Sequence, residues 1–247
     1  MTVQRNVFNL AGKTVAVIGA SGGIGTACVE GCRCAGAKVL PCGRNPEILQ
    51  TLTELGLPVG VLDLEQPTGF ETWASVLPAL DGAVFAAGVA MVRPFSMTDS
   101  VHWEHVMRVN VQGPMLALRA LLRARKLNLG ASVVFVGSIA AWRGSVGYTT
   151  YSASKGALLS GVRSLALELA PMGLRANIIS PGLIKTKMTE ELARQQADGE
   201  TRRYAQRYPL GPGAPEDVAH AAVYLLAEAS RWMTGQDLII DGGVTLT

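Results

Sequence analysis

Residues 14–25 read TVAVIGASGGIG. The first six are apolar or β-branched, the composition of a strand buried on both faces. Gly19-Ala20-Ser21-Gly22-Gly23-Ile24-Gly25 follows at once, and after it comes a run with apolar residues at helical spacing. Glycines at such a junction let the chain turn sharply and let its backbone approach a pyrophosphate closely. The free N–H groups of the following helix then face the negative charge. A strand, a glycine loop and a helix, in that order near the start of the chain, are how the dinucleotide-binding fold begins.

The rest of the chain repeats the alternation. Apolar β-rich runs lie at 38–42, 59–62, 83–87, 133–136, 175–179 and 238–240, and segments of helical periodicity such as 153–169 separate them. Strands apolar throughout, alternating with helices, predict a parallel sheet covered on both faces. No linker, repeat or low-complexity tract divides the chain. The expectation is an α/β protein: a single doubly wound Rossmann domain over 1–247 with a seven-stranded, mainly parallel sheet. Residues 185–215 are polar, charged and bounded by Pro181-Gly182 and Gly211-Pro212-Gly213. They predict a helical substrate-lid insert over the site.

Of 247 residues, 49% are hydrophobic and 17% charged, which supplies a large core and argues against disorder. A net charge of only +3 gives no reason to expect nucleic acid or an anionic membrane. Residues 1–10 lack the apolar core of a signal peptide, and no run approaches the roughly 20 apolar residues of a membrane span. The expected compartment is the cytoplasm. Cys28, Cys32, Cys34 and Cys42 are crowded but lack the paired spacing of a zinc site and have no histidine nearby. They read as small core residues, and no metal is expected.

Tyr151-Ser152-Ala153-Ser154-Lys155 carries the chemistry. Tyr and Lys at i and i+4 share one helix face. A free phenol titrates near pH 10, and a neighbouring ammonium is expected to lower that value and make the phenol a usable proton carrier. Ser138 follows the apolar run 133–136 and Gly137, which places its hydroxyl at the carboxyl end of a strand, where open α/β sheets bind ligands.

The G-x-x-x-G-x-G loop with Ser138, Tyr151 and Lys155 in this order resembles the short-chain dehydrogenase/reductase family, and the likeness runs from about Leu10 to Gly243. The resemblance adds Asn110, in Trp103-x6-Asn110-Val111-Gln112-Gly113, as the residue that anchors a water in the proton relay. It implies a cofactor held by Gly19, Ser21, Gly22, Gly23, Ile24 and Gly25, by the adenine-contacting pair Asp63-Leu64, and by Ala87 and Gly88. Ile184, Thr186, Tyr151 and Lys155 complete that set at the nicotinamide. Gly43 stands where the family's NAD users carry Asp, and Arg44 follows it; an Arg pairs with a 2′-phosphate that a carboxylate would repel. The implied cofactor is NADP(H), with NAD(H) as the alternative. One departure is Phe85-Ala86 in place of the family's two Asn, which brings the rigidity of the central sheet into question.

By pattern the nearest members are 3-oxoacyl-(acyl-carrier-protein) reductases. The implied activity is NADPH-dependent reduction of a 3-oxoacyl or similar ketone, free or carrier-bound, with a small polyol, sugar or secondary metabolite as the alternative substrate. A catalytically silent NADP-binding regulator would keep the glycine loop but lose Tyr or Lys, and both are present. The substrate pocket is expected from 140–148, with Trp142, Val146 and Tyr148 as a partly apolar wall. The insert would add Lys185, Lys187, Arg202, Arg203 and Arg207, either for an anionic group or as solvated charges. Arg119, Arg123, Arg125 and Lys126 read either as a dock for an acidic carrier or as a basic helix end favoured by the macrodipole. The family's habit implies a homotetramer or homodimer, with the apolar face of 157–170 against a partner copy or against its own sheet.

Overall fold

The computed structural model describes residues 6–52, 60–195 and 205–247. β1 (Thr14–Ile18) leads through the glycine turn into α1 (Gly23–Cys34). Next come β2 (Lys38–Gly43), α2 (Pro46–Thr51), β3 (Gly60–Val61), α3 (Phe70–Val76) and β4 (Leu80–Phe85). α4 (Ser100–Met107) and α5 (Gly113–Arg123) precede β5 (Leu127–Val136), α6 (Thr149–Leu169) and β6 (Arg175–Pro181). The chain continues through α7 (Lys187–Gln195), α8 (Pro215–Leu226) and β7 (Asp237–Ile240).

The seven strands form one sheet in the order β3-β2-β1-β4-β5-β6-β7. Every strand pair is parallel. Connections wind outward from the β1–β4 boundary in both directions, so the loops leaving those strands diverge and open a crevice at the carboxyl edge. The doubly wound α/β domain read from the sequence is the fold.

Strand pleating explains the unbroken apolar runs. Ala16 and Ile18 face the core filled by Phe70 and Trp73 of α3, Leu118 and Leu121 of α5, and Leu158 and Val162 of α6. Val15 and Val17 face the opposite core, with Val29 of α1 and Val218 and Leu225 of α8. Three cysteines divide the same way, Cys42 in the first core and Cys28 and Cys32 in the second, whereas Cys34, read as a core residue, is exposed at the last turn of α1. Burial pushes all three thiols up to about 12, which makes them inert packing groups.

The Phe85-Ala86 departure is absorbed by packing. The Phe85 ring stacks on Phe135 of the neighbouring strand at 4.9 Å between centroids, and the Ala86 N–H donates to the Ile18 carbonyl at 2.8 Å. Most strand boundaries fall within two residues of the sequence reading, and the larger differences are at two strand starts. β4 begins three residues earlier, and β5 begins at Leu127 because its first half is too exposed to show apolar periodicity. Residue 59, read as part of the third strand, lies outside the described residues. Among those described, no helix is long and apolar enough to cross a membrane.

The glycine loop supplies a stability test. A Cβ on Gly25 would sit 2.0 Å from the Gly19 carbonyl oxygen, whereas a Cβ on Gly156 in α6 would meet nothing within 4 Å. Gly25→Ala should lower stability by about 1–3 kcal/mol through overpacking. Gly156→Ala should raise it by about 0.5–1 kcal/mol through helix propensity. Chemical denaturation of the two variants checks both signs.

Candidate active site

At the carboxyl edge of the sheet the loop after β1 is pinned by its own backbone. The Gly19 and Ala20 N–H groups donate to the Cys42 carbonyl at 2.8 and 3.1 Å, and the Thr26 hydroxyl donates to the Ala20 carbonyl at 2.9 Å. Gly19 has φ +87°, and a Cβ there would lie 2.5 Å from the Ala87 nitrogen. A Cβ on Gly23 would lie 2.9 Å from the Thr186 side chain. The loop is thus pressed between the segments that follow β4 and β6, with room for bare backbone only. No acidic residue occupies the first turn of α1, so its N–H groups face the cleft without a competing anion.

That cleft, about 290 Å³, is lined by Gly19, Ser21, Gly22, Gly23, Ile24, Arg44, Asp63, Leu64, Ala87, Gly88 and Thr186. Gly25 lies behind the loop and serves helix–strand packing instead. Ile184, Tyr151 and Lys155 line a deeper cavity that shares Gly88 and Thr186 with the cleft. The glycine cradle, the bare helix end and a cation at the far rim together fit a dinucleotide.

Arg44 is mostly exposed and donates to Glu65 at 3.0 Å; Glu65 also meets His105 Nδ1 at 3.3 Å. Glu65 and His105 escaped the sequence reading. His105 is forty residues from Glu65 in the chain and reaches it only because α4 packs beside the loop after β3.

At the other end four side chains converge. Asn110 sits in a turn of π-helix (Arg108–Gln112) and is 1% exposed. Its Oδ1 accepts the Val89 N–H at 2.8 Å, and its Nδ2 donates to the Val89 carbonyl at 2.9 Å and to Ser154 Oγ at 3.0 Å. Ser154 in turn donates to the Tyr151 carbonyl at 2.7 Å. Ser154 was also missed, although its place between Tyr151 and Lys155 puts it one helical turn from the tyrosine. Gly88 closes the group, since a Cβ there would crowd Asn110 Oδ1 at 3.3 Å and Lys155 Nζ at 3.5 Å.

Lys155 is 4% exposed, donates to the Val136 carbonyl at 2.9 Å and lies 5.7 Å from the Tyr151 ring centroid. Ser138 hydrogen-bonds the Tyr151 side chain, and its own Oγ accepts the Ala140 N–H at 3.1 Å. Burial pushes the Tyr151 phenol up to about 12, with Ser138 opposing and Tyr148 adding. Burial also brings Lys155 down to about 8. The expectation that the ammonium lowers the phenol is therefore corrected. Desolvation dominates, and the Tyr151 phenol keeps its proton near pH 7.

Beyond Tyr151 opens a pocket of about 110 Å³ lined by Ser138, Ile139, Arg143, Ser145, Tyr148, Leu183, Met188, Thr189, Leu192 and Tyr208, among others. Tyr148 lines it as expected. Trp142 and Val146 do not. Trp142 donates to Asp237 at 2.6 Å and lies under Arg163, and Val146 is 98% exposed. Ile139, Leu183, Met188 and Leu192 supply the apolar wall instead. Among the basic residues of the insert, Lys187 borders the cofactor cleft, Lys185 and Arg207 line neither space, and Arg202 and Arg203 lie outside the described residues. Arg143 was not singled out from the sequence.

Two surface segments were read with alternatives left open. Arg119 pairs with Glu71 at 3.1 Å and Lys126 donates to the Leu77 carbonyl at 2.5 Å, so half of the basic cluster is used within the fold. On α6, Leu158, Leu159, Val162, Ala166 and Leu169 are buried against the chain's own sheet, and Leu167 stays exposed.

A family model described as enoyl-(acyl carrier protein) reductase matches residues 19–245. The chain is 30% identical to a 3-oxoacyl-[acyl-carrier-protein] reductase of Aquifex aeolicus, over 96% of this chain and 99% of that protein. It is 33% identical to a galactitol 2-dehydrogenase (L-tagatose-forming) of Cereibacter sphaeroides, over 98% of each. A Beutenbergia cavernae protein, provisionally assigned as an NAD(P)-dependent gluconate 5-dehydrogenase and solved with bound NADP, superposes with a TM-score of 0.88 at 30% identity. That superposition covers 97% of this chain and 99% of the other.

The Arg44–Glu65 pair makes cofactor choice testable. Arg44→Ala should weaken NADPH binding about tenfold or more, the loss of a charge-assisted contact, and weaken NADH binding far less. Glu65→Gln should shift preference further toward NADPH. Fluorescence titration of both dinucleotides measures it, and equal weakening of the two by Arg44→Ala would count against the assignment.

Proposed function

The chain belongs to the short-chain dehydrogenase/reductase family, oxidoreductases acting on CH–OH and C=O groups, and we propose that it reduces a ketone with NADPH through Asn110, Ser138, Tyr151 and Lys155. The observation that carries this reading is their convergence at the inner end of the glycine cleft: a phenol bonded to a hydroxyl, with a buried ammonium and a buried carboxamide behind them. The loop from Gly19 to Ile24 would hold the pyrophosphate, Arg44 the 2′-phosphate, and Asp63 and Leu64 the adenine. Ala87 and Gly88 would meet the adenosine ribose, and Ile184 and Thr186 the nicotinamide side. Bound there, NADPH supplies a hydride for a carbonyl carbon.

The protein's own residues handle the oxygen. Ser138 donates a hydrogen bond to it, and Tyr151 donates the proton as negative charge develops. A phenol near 12 keeps its proton at neutral pH and is ready to give it. Lys155, near 8, is mostly charged at neutral pH and stabilises the phenolate left behind. Both Asn110 amide protons are committed, so its side chain fixes geometry, and a relay water is left with its main chain or the spare lone pair of Oδ1. Met188, Thr189 and Leu192 of α7 form the part of the insert that covers the substrate.

Within this class the leading substrate is a 3-oxoacyl or similar ketone. A small polyol or sugar-derived ketone is the second reading, favoured by the polar lining from Ser145, Tyr148 and Thr189. A panel of ketones and acyl thioesters with NADPH, followed by nicotinamide absorbance, decides between them.

Tyr151→Phe should lower kcat by about 100-fold or more while NADPH still binds, and wild-type turnover by this variant would overturn the mechanism. The kcat/KM for reduction should be level near neutral pH and fall as pH rises through about 8, where Lys155 loses its proton. A pH–rate profile that stays flat to well above that value would contradict Lys155 as the buried cation.

A further inference from the structure

The substrate pocket holds one formally charged side chain, Arg143, and no acid among the described residues that line it. Its guanidinium is half-buried and anchored: one Nη donates to the Val244 carbonyl. That anchor is firm. Val244 is fully buried against Ile139 and Tyr208, and the turn it belongs to is clamped by Asp241. The Asp241 carboxylate accepts the Gly243 N–H at 2.9 Å, the Thr245 N–H at 2.8 Å and the Thr245 hydroxyl at 2.7 Å. Asp241 is thereby committed, and Asp237 accepts from Trp142. Among the described residues no carboxylate forms an ion pair with Arg143.

A guanidinium has five N–H donors in a planar fork, and one bond to a carbonyl leaves most of them unused. Arg143 lines the same pocket as Tyr151 and Ser138, where a neutral substrate would cover it without compensating its charge. A carboxylate matches the fork with two parallel hydrogen bonds and cancels the charge. Resting on the reading of Tyr151 and Ser138 as the carbonyl-binding pair, we propose that the substrate is a small oxo acid, with Arg143 binding its carboxylate as the specificity-determining contact.

The test compares 3-oxobutanoate and 2-oxobutanoate with their methyl esters, which keep the ketone and remove the charge. The wild-type protein should favour each acid over its ester by about tenfold or more in kcat/KM, chiefly through KM. Arg143→Gln can still donate to Val244 but carries no charge, and it should bring the acid-to-ester ratio toward one. Arg143→Lys should restore part of the preference. Melting curves of the variants check that the C-terminal turn is intact. No acid preference in the wild type, or a preference that survives in a folded Arg143→Gln variant, overturns the proposal. If no ketone is turned over, the reductase reading fails separately, and thermal stabilisation by the acids then decides. Saturable stabilisation by the acids and not the esters, lost in Arg143→Gln, supports the carboxylate site; its absence overturns it.

Discussion

The buried carboxamide of Asn110 holds together segments that would otherwise be independent. Its oxygen and nitrogen bridge both backbone groups of Val89, in the loop after β4, and its second amide proton reaches Ser154 on α6. Ser154 passes the connection to the Tyr151 carbonyl. The loop that borders the dinucleotide cleft and the helix that carries Tyr151 and Lys155 are therefore fixed relative to one another by one side chain. A buried amide of this kind is costly to leave unsatisfied, so the arrangement is close to all-or-none. It also explains the π turn. One extra residue in the helix rotates Asn110 inward, which a regular α-helix running from α4 into α5 would not do.

Around that brace, desolvation sets the proton chemistry. Tyr151 and Lys155 are neighbours on one face of α6, and spacing alone suggests that the ammonium pulls the phenol toward ionisation. In the folded protein both groups are driven toward neutrality, the tyrosine to about 12 and the lysine to about 8. The two values, nearly equal for the free groups, are pushed apart, leaving an acid that holds its proton and a cation that is easily discharged. Under the proposed reduction, such a pair would favour giving a proton to a developing alkoxide over storing a phenolate in advance.

The sequence was most informative where burial is two-sided. Runs such as 14–19 and 133–136 are apolar at every position because the sheet has helices on both faces, so strand number, order of elements and the glycine loop could all be read directly. The N-terminal half of β5 was invisible because Asn128, Leu129 and Gly130 are exposed. Side-chain direction was harder still. Trp142 and Val146 fall in the right segment for a pocket wall, but Trp142 turns outward to Asp237 and Val146 to solvent, while Arg143 between them turns in. No periodicity distinguishes neighbours in an irregular loop. The Arg44–Glu65–His105 cluster was likewise hidden, since it depends on how α4 packs beside the end of β3.

One turn joins the two halves of the site. Thr189 donates to the Ile184 and Thr186 carbonyls at 2.8 Å, and its oxygen accepts the Thr186 N–H at 2.9 Å, so the segment from β6 into α7 is knotted on a single hydroxyl. Thr186 touches the glycine loop at Gly23, and Met188 lines the dinucleotide cleft, the deeper cavity and the substrate pocket alike. A displacement of this turn moves a wall of all three spaces at once. Contacts made along the cleft at Thr186 therefore bear on the shape of the pocket beside Arg143 without any change in the rigid sheet beneath them. The walls of the three spaces are thus joined through the backbone of a few residues, held together by the hydroxyl of Thr189.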